Sequence, residues 1–212
     1  MKKHILMIAA LLACAALPAQ DGAEKILNQM ENAFRKEGGI RAGFTLRVTE
    51  QGAARGESTG TLSLKGDRFV LETPDNSLWF DGKTLWNYLP DAEEVTVSHP
   101  AQEELQSIHP YLLLKSIRKG YKAELGTRTS FNGHTVHEVS LSSANENPDG
   151  IMTITVYVEQ ATAHPLYIEV LQNNGMATRL TVTRYQAHQD FPDSMFVFNP
   201  AKYPDAEIID LR

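Results

Sequence analysis

The sequence predicts a mainly β protein in which helices partly cover one large, curved antiparallel sheet. Apolar and polar residues alternate in about ten or eleven short segments between Phe44 and Tyr185. Turn residues separate these segments, so we expect the strands to be joined as hairpins. Helical spacing occurs in only two places. A sheet of this size curls into a barrel or half-barrel, with the helices on its concave face.

Composition and charge place the chain among ordinary folded proteins. Its 212 residues suit a single domain. Hydrophobic residues make up 42% and charged residues 22%, which is typical of a globular protein. The net charge is −6 and there is no run rich in Lys or Arg. We therefore expect no nucleic acid among the partners.

The first 19 residues are predicted to be a secretory signal peptide, and residues 20–212 the domain that remains. Lys2 and Lys3 give the segment a positive start. The apolar run from Ile5 to Leu17 is too short to span a bilayer as a helix. Ala19 supplies the small residue that cleavage requires. Export to a bacterial envelope is the expected result.

Cys14, the only cysteine, leaves a second possibility open. Cleavage after Ala19 would leave no thiol, which excludes disulfides, cysteine nucleophiles and cysteine-bound metals. Leu11 to Cys14 loosely matches a lipobox, in which the cysteine is acylated and becomes the new N-terminus. In that case the protein would be tethered to a membrane surface.

Residues 21–37 are predicted to form an N-terminal helix that packs on the sheet. One apolar stripe runs along it at three- and four-residue spacing: Ile26, Leu27, Met30 and Phe34. Asp21 is the expected N-cap, and Gly38 and Gly39 are expected to end the helix.

The strands are predicted in two groups on either side of a second helical region. The first group comprises residues 44–49, 62–65, 69–71, 77–80, 83–88 and 94–98, and the second 121–128, 135–141, 151–158, 166–171 and 178–185. Asp81 and Gly82 favour a tight two-residue turn. Both central residues of such a turn need positive φ, which Asp and Gly adopt more readily than most residues. Between the groups, Gln102 to Arg118 is predicted to hold two short helices, the second starting at Pro110.

Two motifs could indicate chemistry, but their context argues against it. Gly56 to Gly60 matches G-x-S-x-G, which marks a hydrolase nucleophile only between a strand and a helix, whereas here we expect a hairpin loop. His134 and His137 have metal-ligand spacing, but residues three apart in a strand point to opposite faces. The sequence has no nucleotide-binding loop. We therefore expect no catalytic residue, no metal, no cofactor and no enzymatic activity.

Four aromatic residues are concentrated around the turn at Asp81: Trp79, Phe80, Trp86 and Tyr88. Two roles fit them, because buried aromatic side chains form sheet cores and also line cavities for acyl chains. The sequence leaves both roles open.

Several segments together resemble the outer-membrane lipoprotein carrier protein (LolA) family. The most specific is the stretch from Asp81 to Tyr88, DGKTLWNY. Weaker matches are Gly60–Lys65, Arg68–Phe69, Glu94–Val97, the helix at Pro110–Leu114, the F-x-F-x-P ending at Pro200, and Ile208–Asp210. The similarity covers nearly all of residues 20–212.

This resemblance implies an unclosed antiparallel β-barrel with a helical lid, located in the periplasm. Such proteins take acylated lipoproteins from an inner-membrane ABC transporter complex and pass them to an outer-membrane acceptor. A hydrophobic cavity holds the acyl chains. Matching positions imply cargo-binding roles for Leu71, Leu78, Tyr111 and Leu114, with Phe69 and Phe80 as further candidates. The alternative is a membrane-anchored lipoprotein acceptor, or another envelope lipid-binding or sensing protein of the same fold.

One position departs from the family pattern. The family often has an Arg-Pro pair after the lysine that ends the second of these strands, and that arginine is thought to hold the lid closed. Here Gly66 and Asp67 stand in its place, followed by Arg68. The way in which a lid would close is therefore open for this chain.

Mass spectrometry of the protein recovered from its native envelope distinguishes the two possible N-termini. Because the signal-peptide pattern is the stronger one, we expect a chain without lipid that begins at Gln20 or later. An N-terminal diacylated Cys14 would contradict this and show an anchored form.

Overall fold

The computed structural model describes residues 17–101, 104–105, 120–143 and 150–212. Within them, one α-helix, α1 (Leu17–Lys36), precedes a single twelve-stranded sheet. The strands are β1 (Gly39–Glu50), β2 (Ala53–Lys65), β3 (Arg68–Glu72), β4 (Ser77–Phe80), β5 (Leu85–Leu89), β6 (Glu94–Ser98), β7 (Tyr121–Phe131), β8 (His134–Ser143), β9 (Ile151–Glu159), β10 (Pro165–Gln172), β11 (Met176–Gln186) and β12 (Glu207–Asp210).

The sheet is unclosed, which confirms the predicted fold class. Its strand order is β12-β6-β5-β4-β3-β2-β1-β11-β10-β9-β8-β7, so β12 and β7 form two separate edges. The predicted strand count was slightly low, because β12 was not counted as a paired strand. The two short helices expected between Gln102 and Arg118 lie outside the described residues, apart from Glu104 and Leu105.

Two local predictions were wrong. The helix begins at Leu17 rather than after Asp21, with Pro18 in its first turn, where a missing N–H costs little. Residues 81–84 form a four-residue loop instead of a two-residue turn. The Asp81 carboxylate accepts backbone N–H groups of Lys83 and Thr84 at 2.8 and 2.7 Å, so positive φ is needed only at Gly82.

The last strand also differs from the predicted series of hairpins. β12 pairs with β6 in parallel, whereas every other neighbouring pair in the described sheet is antiparallel. Parallel neighbours need a long crossover connection. Here β7 to β11 separate β6 from β12 in the chain, and residues 187–206, which link β11 to β12, cross the outer face of the sheet and bring β12 beside β6.

The two faces of the sheet are covered by different segments. The inner face, defined here as the face on which α1 packs, buries Ala23, Ile26, Leu27 and Met30 of the helix against apolar side chains of β7, β8 and β9. The outer face of β3 to β6 is covered by the C-terminal segment, defined as residues 190–206. Successive residues of a strand point to opposite faces, so each strand contributes to both layers.

A buried carboxylate fixes the C-terminal end of α1. Glu37, only 9% exposed, directly follows the helix. Its Oε1 lies 2.5 Å from Nε2 of His164, between β9 and β10, and its Oε2 accepts the Tyr185 hydroxyl of β11 at 2.6 Å. The His164 and Tyr185 rings stack with their centroids 3.9 Å apart. One side chain therefore joins the helix to two strand regions.

Burial first, and then the hydrogen bond to Glu37, raises the pKa of Tyr185 far above its ordinary value. The phenol therefore remains protonated and can donate to the carboxylate. The backbone completes the junction: the N–H of His188 donates to the Glu37 carbonyl oxygen at 3.1 Å, and that of Gln189 to the Gly39 carbonyl oxygen at 2.8 Å. A side chain at position 39 would meet the Gln189 carbonyl oxygen at 2.0 Å, which explains the glycine.

Replacing Glu37 with alanine is expected to lower the free energy of unfolding by about 2–4 kcal/mol, because Tyr185 and His164 would lose their buried partner. Thermal denaturation should show a melting temperature lower by roughly 5–10 °C. The matched control is Glu57→Ala. Glu57 pairs with Arg47 on an exposed surface, where the expected cost is only about 0.5 kcal/mol. Equal losses in both variants would contradict the anchoring role.

Candidate functional site

The centre of the inner face carries a strip of apolar side chains that neither α1 nor neighbouring strands fully bury. Strand register aligns its members across four central strands and β3. This strip, which we call the central apolar strip, comprises Phe44, Leu46, Leu62, Leu71, Ile168, Val170, Leu180 and Val182, all of them half-buried. Partly exposed aliphatic side chains in the middle of a sheet leave apolar surface for another apolar group to cover.

One end of the strip rests on a fully buried cluster. Phe69 is 0%, Phe80 3% and Leu78 8% exposed, and they pack with Ile40, Leu64 and Leu85. The Phe69 and Phe80 rings lie 5.5 Å apart, at 36° to each other. Leu62 and Leu71 pack against the edge of this cluster and are themselves partly buried. The buried side chains therefore support this end of the strip, and the half-buried leucines remain partly accessible.

The structure brings four of the six predicted cargo-binding residues together on the inner face. Phe69 pairs with Phe80, and Leu71 pairs with Leu78 on the next strand. Tyr111 and Leu114, the other two, lie outside the described residues. The members of the strip on β1, β2, β10 and β11 were not predicted from the sequence. Their period-two spacing was visible, but which of the two faces they occupy follows only from the register.

The aromatic concentration around Asp81 divides between the two faces. Phe80 points to the inner face, whereas Trp79, Trp86 and Tyr88 pack under the C-terminal segment on the outer face. Trp79 lies 5.5 Å from Phe198 and 5.7 Å from Tyr203, measured between ring centroids. Three of the four residues are therefore core of the outer layer and face away from the central apolar strip.

Arg68, the residue that follows the departure from the family pattern, also faces outward. Its Nη1 lies 2.6 Å from Oδ1 of Asp193 in the C-terminal segment. The hydrogen bond and charge of Arg68 lower the pKa of Asp193, so the pair is ionised at neutral pH. Lys65, at the end of β2, donates to the Phe191 carbonyl oxygen at 2.6 Å. Both cations thus hold the C-terminal segment against the sheet.

The two motifs considered for chemistry lie in regular strands. The predicted loop at Gly56 to Gly60 was wrong, because these residues pair with β1 inside β2 and no helix follows them. His134 and His137 are both in β8, where His134 lies 2.6 Å from Glu159. Across the described part of the chain, no group of three or more His, Cys, Asp or Glu side chains could hold a metal ion.

None of the described helices is both long and apolar enough to cross a membrane.

Comparison with protein families matches residues 13–165 to the family described as outer membrane lipoprotein carrier protein LolA. Two proteins from Histophilus somni, strains 2336 and 129Pt, are named outer-membrane lipoprotein carrier protein and are each 36% identical to this chain over 95 residues. That region covers 42% of this chain and 46% of each relative. The chain therefore spans less than half of the length of the curated relatives that it matches.

Solved structures show the same fold at low sequence identity. An uncharacterized conserved protein from Thermus thermophilus superposes with a TM-score of 0.61 at 16% identity, covering 89% of this chain and 99% of that one. LprF from Mycobacterium bovis gives a TM-score of 0.50 at 12% identity, covering 82% of this chain and 97% of that one.

Because Arg68 faces outward, we expect Arg68→Ala to leave the affinity for a fluorescent fatty-acyl probe within about twofold of the original, measured by equilibrium titration. Its effect should instead appear in the C-terminal segment, as faster amide hydrogen exchange near Asp193, whose partner is lost. A large loss of probe affinity with unchanged exchange would mean that Arg68 acts on the inner face, against the structure.

Proposed function

Since the chain belongs to the outer membrane lipoprotein carrier protein LolA family, we propose that it is a periplasmic carrier that shields the acyl chains of lipoproteins between the inner and outer membranes. The observation that carries this proposal is the central apolar strip. It offers half-buried aliphatic and aromatic side chains on the one sheet face that the C-terminal segment leaves free.

The energetics of acyl transfer suit such a surface. Each methylene group removed from water contributes about 0.8 kcal/mol, so a long chain binds readily to an apolar surface. A carrier must also release its load, which a covalent bond or a fully enclosing cavity would oppose. Side chains such as Leu62 and Leu71, which are only partly buried, provide contact without enclosure on all sides. No cofactor and no catalytic residue are required.

The proposed cargo-binding residues are Phe69, Leu71, Leu78, Phe80, Tyr111 and Leu114. Leu71 would touch the acyl chain directly, whereas the buried Phe69, Phe80 and Leu78 would hold the surface in shape. The roles of Tyr111 and Leu114 rest on the family resemblance alone.

The partners and location follow from the family and the N-terminal pattern. The signal-peptide pattern of residues 1–19 supports export, after which residues 20–212 would work as one domain in the periplasm. By resemblance, an inner-membrane ABC transporter complex would supply the cargo and an outer-membrane acceptor would receive it.

A second function is favoured by Cys14. If that residue is acylated, the same half-barrel would sit on a membrane as a lipoprotein acceptor or an envelope lipid sensor. Both functions use the central apolar strip and differ in whether the protein itself moves between membranes.

We expect purified mature protein to bind a fluorescent fatty-acyl probe, and Leu71→Gln to weaken that binding about tenfold. The substitution replaces an apolar contact worth about 1.5 kcal/mol with a side chain that must be desolvated. Equilibrium titration of probe fluorescence measures both affinities.

The matched control makes a similar apolar-to-polar change elsewhere. Val197 in the C-terminal segment is 41% exposed, and Val197→Gln should leave the affinity unchanged. If the original protein binds no probe, the proposed carrier function is contradicted. If both variants lose affinity equally, the acyl site is not on the inner face.

A further inference from the structure

Two buried side-chain oxygens in the described part of the chain have no hydrogen-bond partner. They are Oγ of Ser58 and Oδ1 of Asn87. Both lie on the inner face: Ser58 is opposite Leu46, and Asn87 is opposite Leu78. Buried polar atoms are nearly always paired in folded proteins, so each exception calls for an explanation. Ser58 has a hydroxyl that can rotate, whereas the planar amide of Asn87 has a more restricted choice of direction.

Asn87 is the polar end of an apolar row. Leu62 pairs with Leu71, Leu71 with Leu78, and Leu78 with Asn87, so the row crosses four adjacent strands, β2 to β5. The neighbours of Asn87 in β5, Trp86 and Tyr88, point to the outer face. Adjacent strands are about 4.8 Å apart, which places Asn87 roughly 10 Å from Leu71 along the row. An acyl chain lying on the leucines would therefore bring its polar end to Asn87.

We propose that Asn87 is a specificity-determining residue of the acyl site, and that its Oδ1 accepts a hydrogen bond from the N–H of an N-acyl amide. The inference rests on the proposed function, because it names the chemical class of the cargo at the same surface. An N-acyl amide carries an N–H donor directly beside the carbonyl that ends its hydrocarbon chain. Because protein atoms cover Oδ1 in the unloaded protein, neighbouring side chains would move aside to admit that donor, which would then pair the oxygen while the chain covers Leu71 and Leu62.

A ligand without a donor would fit this site less well. It would cover the same leucines but gain no hydrogen bond with Oδ1 of Asn87, which is already buried and unpaired in the unloaded protein. If the amide were turned by half a rotation, its NH₂ group would instead face the ligand carbonyl, and an N–H on the ligand would bring no advantage. The two orientations therefore predict different ligand preferences.

The experiment uses two ligands that differ by one methyl group. N-Methyldodecanamide has an N–H donor, whereas N,N-dimethyldodecanamide has the same chain and carbonyl but no donor. Each displaces a fluorescent fatty-acyl probe from the mature protein. We expect the donor-bearing amide to bind about five- to tenfold more tightly. Equal affinity of the two amides in the original protein would overturn the proposal.

Variants in β5 test whether Asn87 causes the preference for the donor-bearing amide. Asn87→Leu should reduce the preference to less than about twofold without weakening the binding of the dimethyl amide, because an apolar side chain extends the row. Asn87→Ala should remove the preference as well and serves if the leucine variant fails to fold. Tyr88→Phe is the matched control, since Tyr88 faces outward, and it should keep the full preference. Preference retained in either Asn87 variant would overturn the proposal.

The outcomes also separate this inference from the proposed function. If neither the probe nor either amide binds, the proposed acyl carrier function fails and the inference fails with it. If the probe binds and both amides displace it equally, only the assignment of Asn87 fails.

Discussion

The protein depends on one geometric constraint: successive residues of a strand point to opposite faces, and the register keeps this alternation in phase from strand to strand. In β3 to β5, one set of apolar residues supports the layer under the C-terminal segment, and the other set faces the helix side. A one-residue slip would turn Phe69, Leu71 and Leu78 to the outer face. The polar and apolar residues between them would then face inward. Which side chains form the inner face therefore depends on this pairing.

The two coverings of the sheet differ in a way that suits a carrier. The C-terminal segment is fixed by Arg68 and Lys65 and by aromatic packing around Trp79, so the outer layer is closed. On the inner face, α1 is fixed at its C-terminal end by Glu37. It buries Ile26, Leu27 and Met30 against β7 to β9, and Phe34 packs against the cluster around Phe69. Between these fixed regions, Leu46, Leu62, Leu71 and Leu180 remain half-buried. Cargo can cover only those apolar side chains that other parts of the protein do not already bury.

Sequence periodicity predicted the helix stripe and most strands, because these features depend on local spacing, whereas the unclosed form of the sheet was implied by the family resemblance. The family resemblance singled out Leu71, Leu78, Phe69 and Phe80, which share one face of the sheet. Neither could assign Trp79 and Trp86 to the outer face, since that depends on where the C-terminal segment returns. The parallel pairing of β12 and the contacts of Glu37 with His164 and Tyr185 join residues more than one hundred positions apart, and no local pattern predicts them. Gly56 to Gly60 was misjudged because small residues suggest a loop, although β1 pairs with them throughout.

Photocrosslinking tests the central claim most directly, because it locates a bound acyl chain without relying on affinity. A fatty acid with a diazirine in its chain would be bound to the mature protein, irradiated, and its adducts mapped by mass spectrometry. We predict adducts on inner-face peptides that contain Leu62, Leu71 or Leu180. Adducts concentrated instead at the exposed outer residues Val197 or Ile208, with none on the inner face, would contradict it.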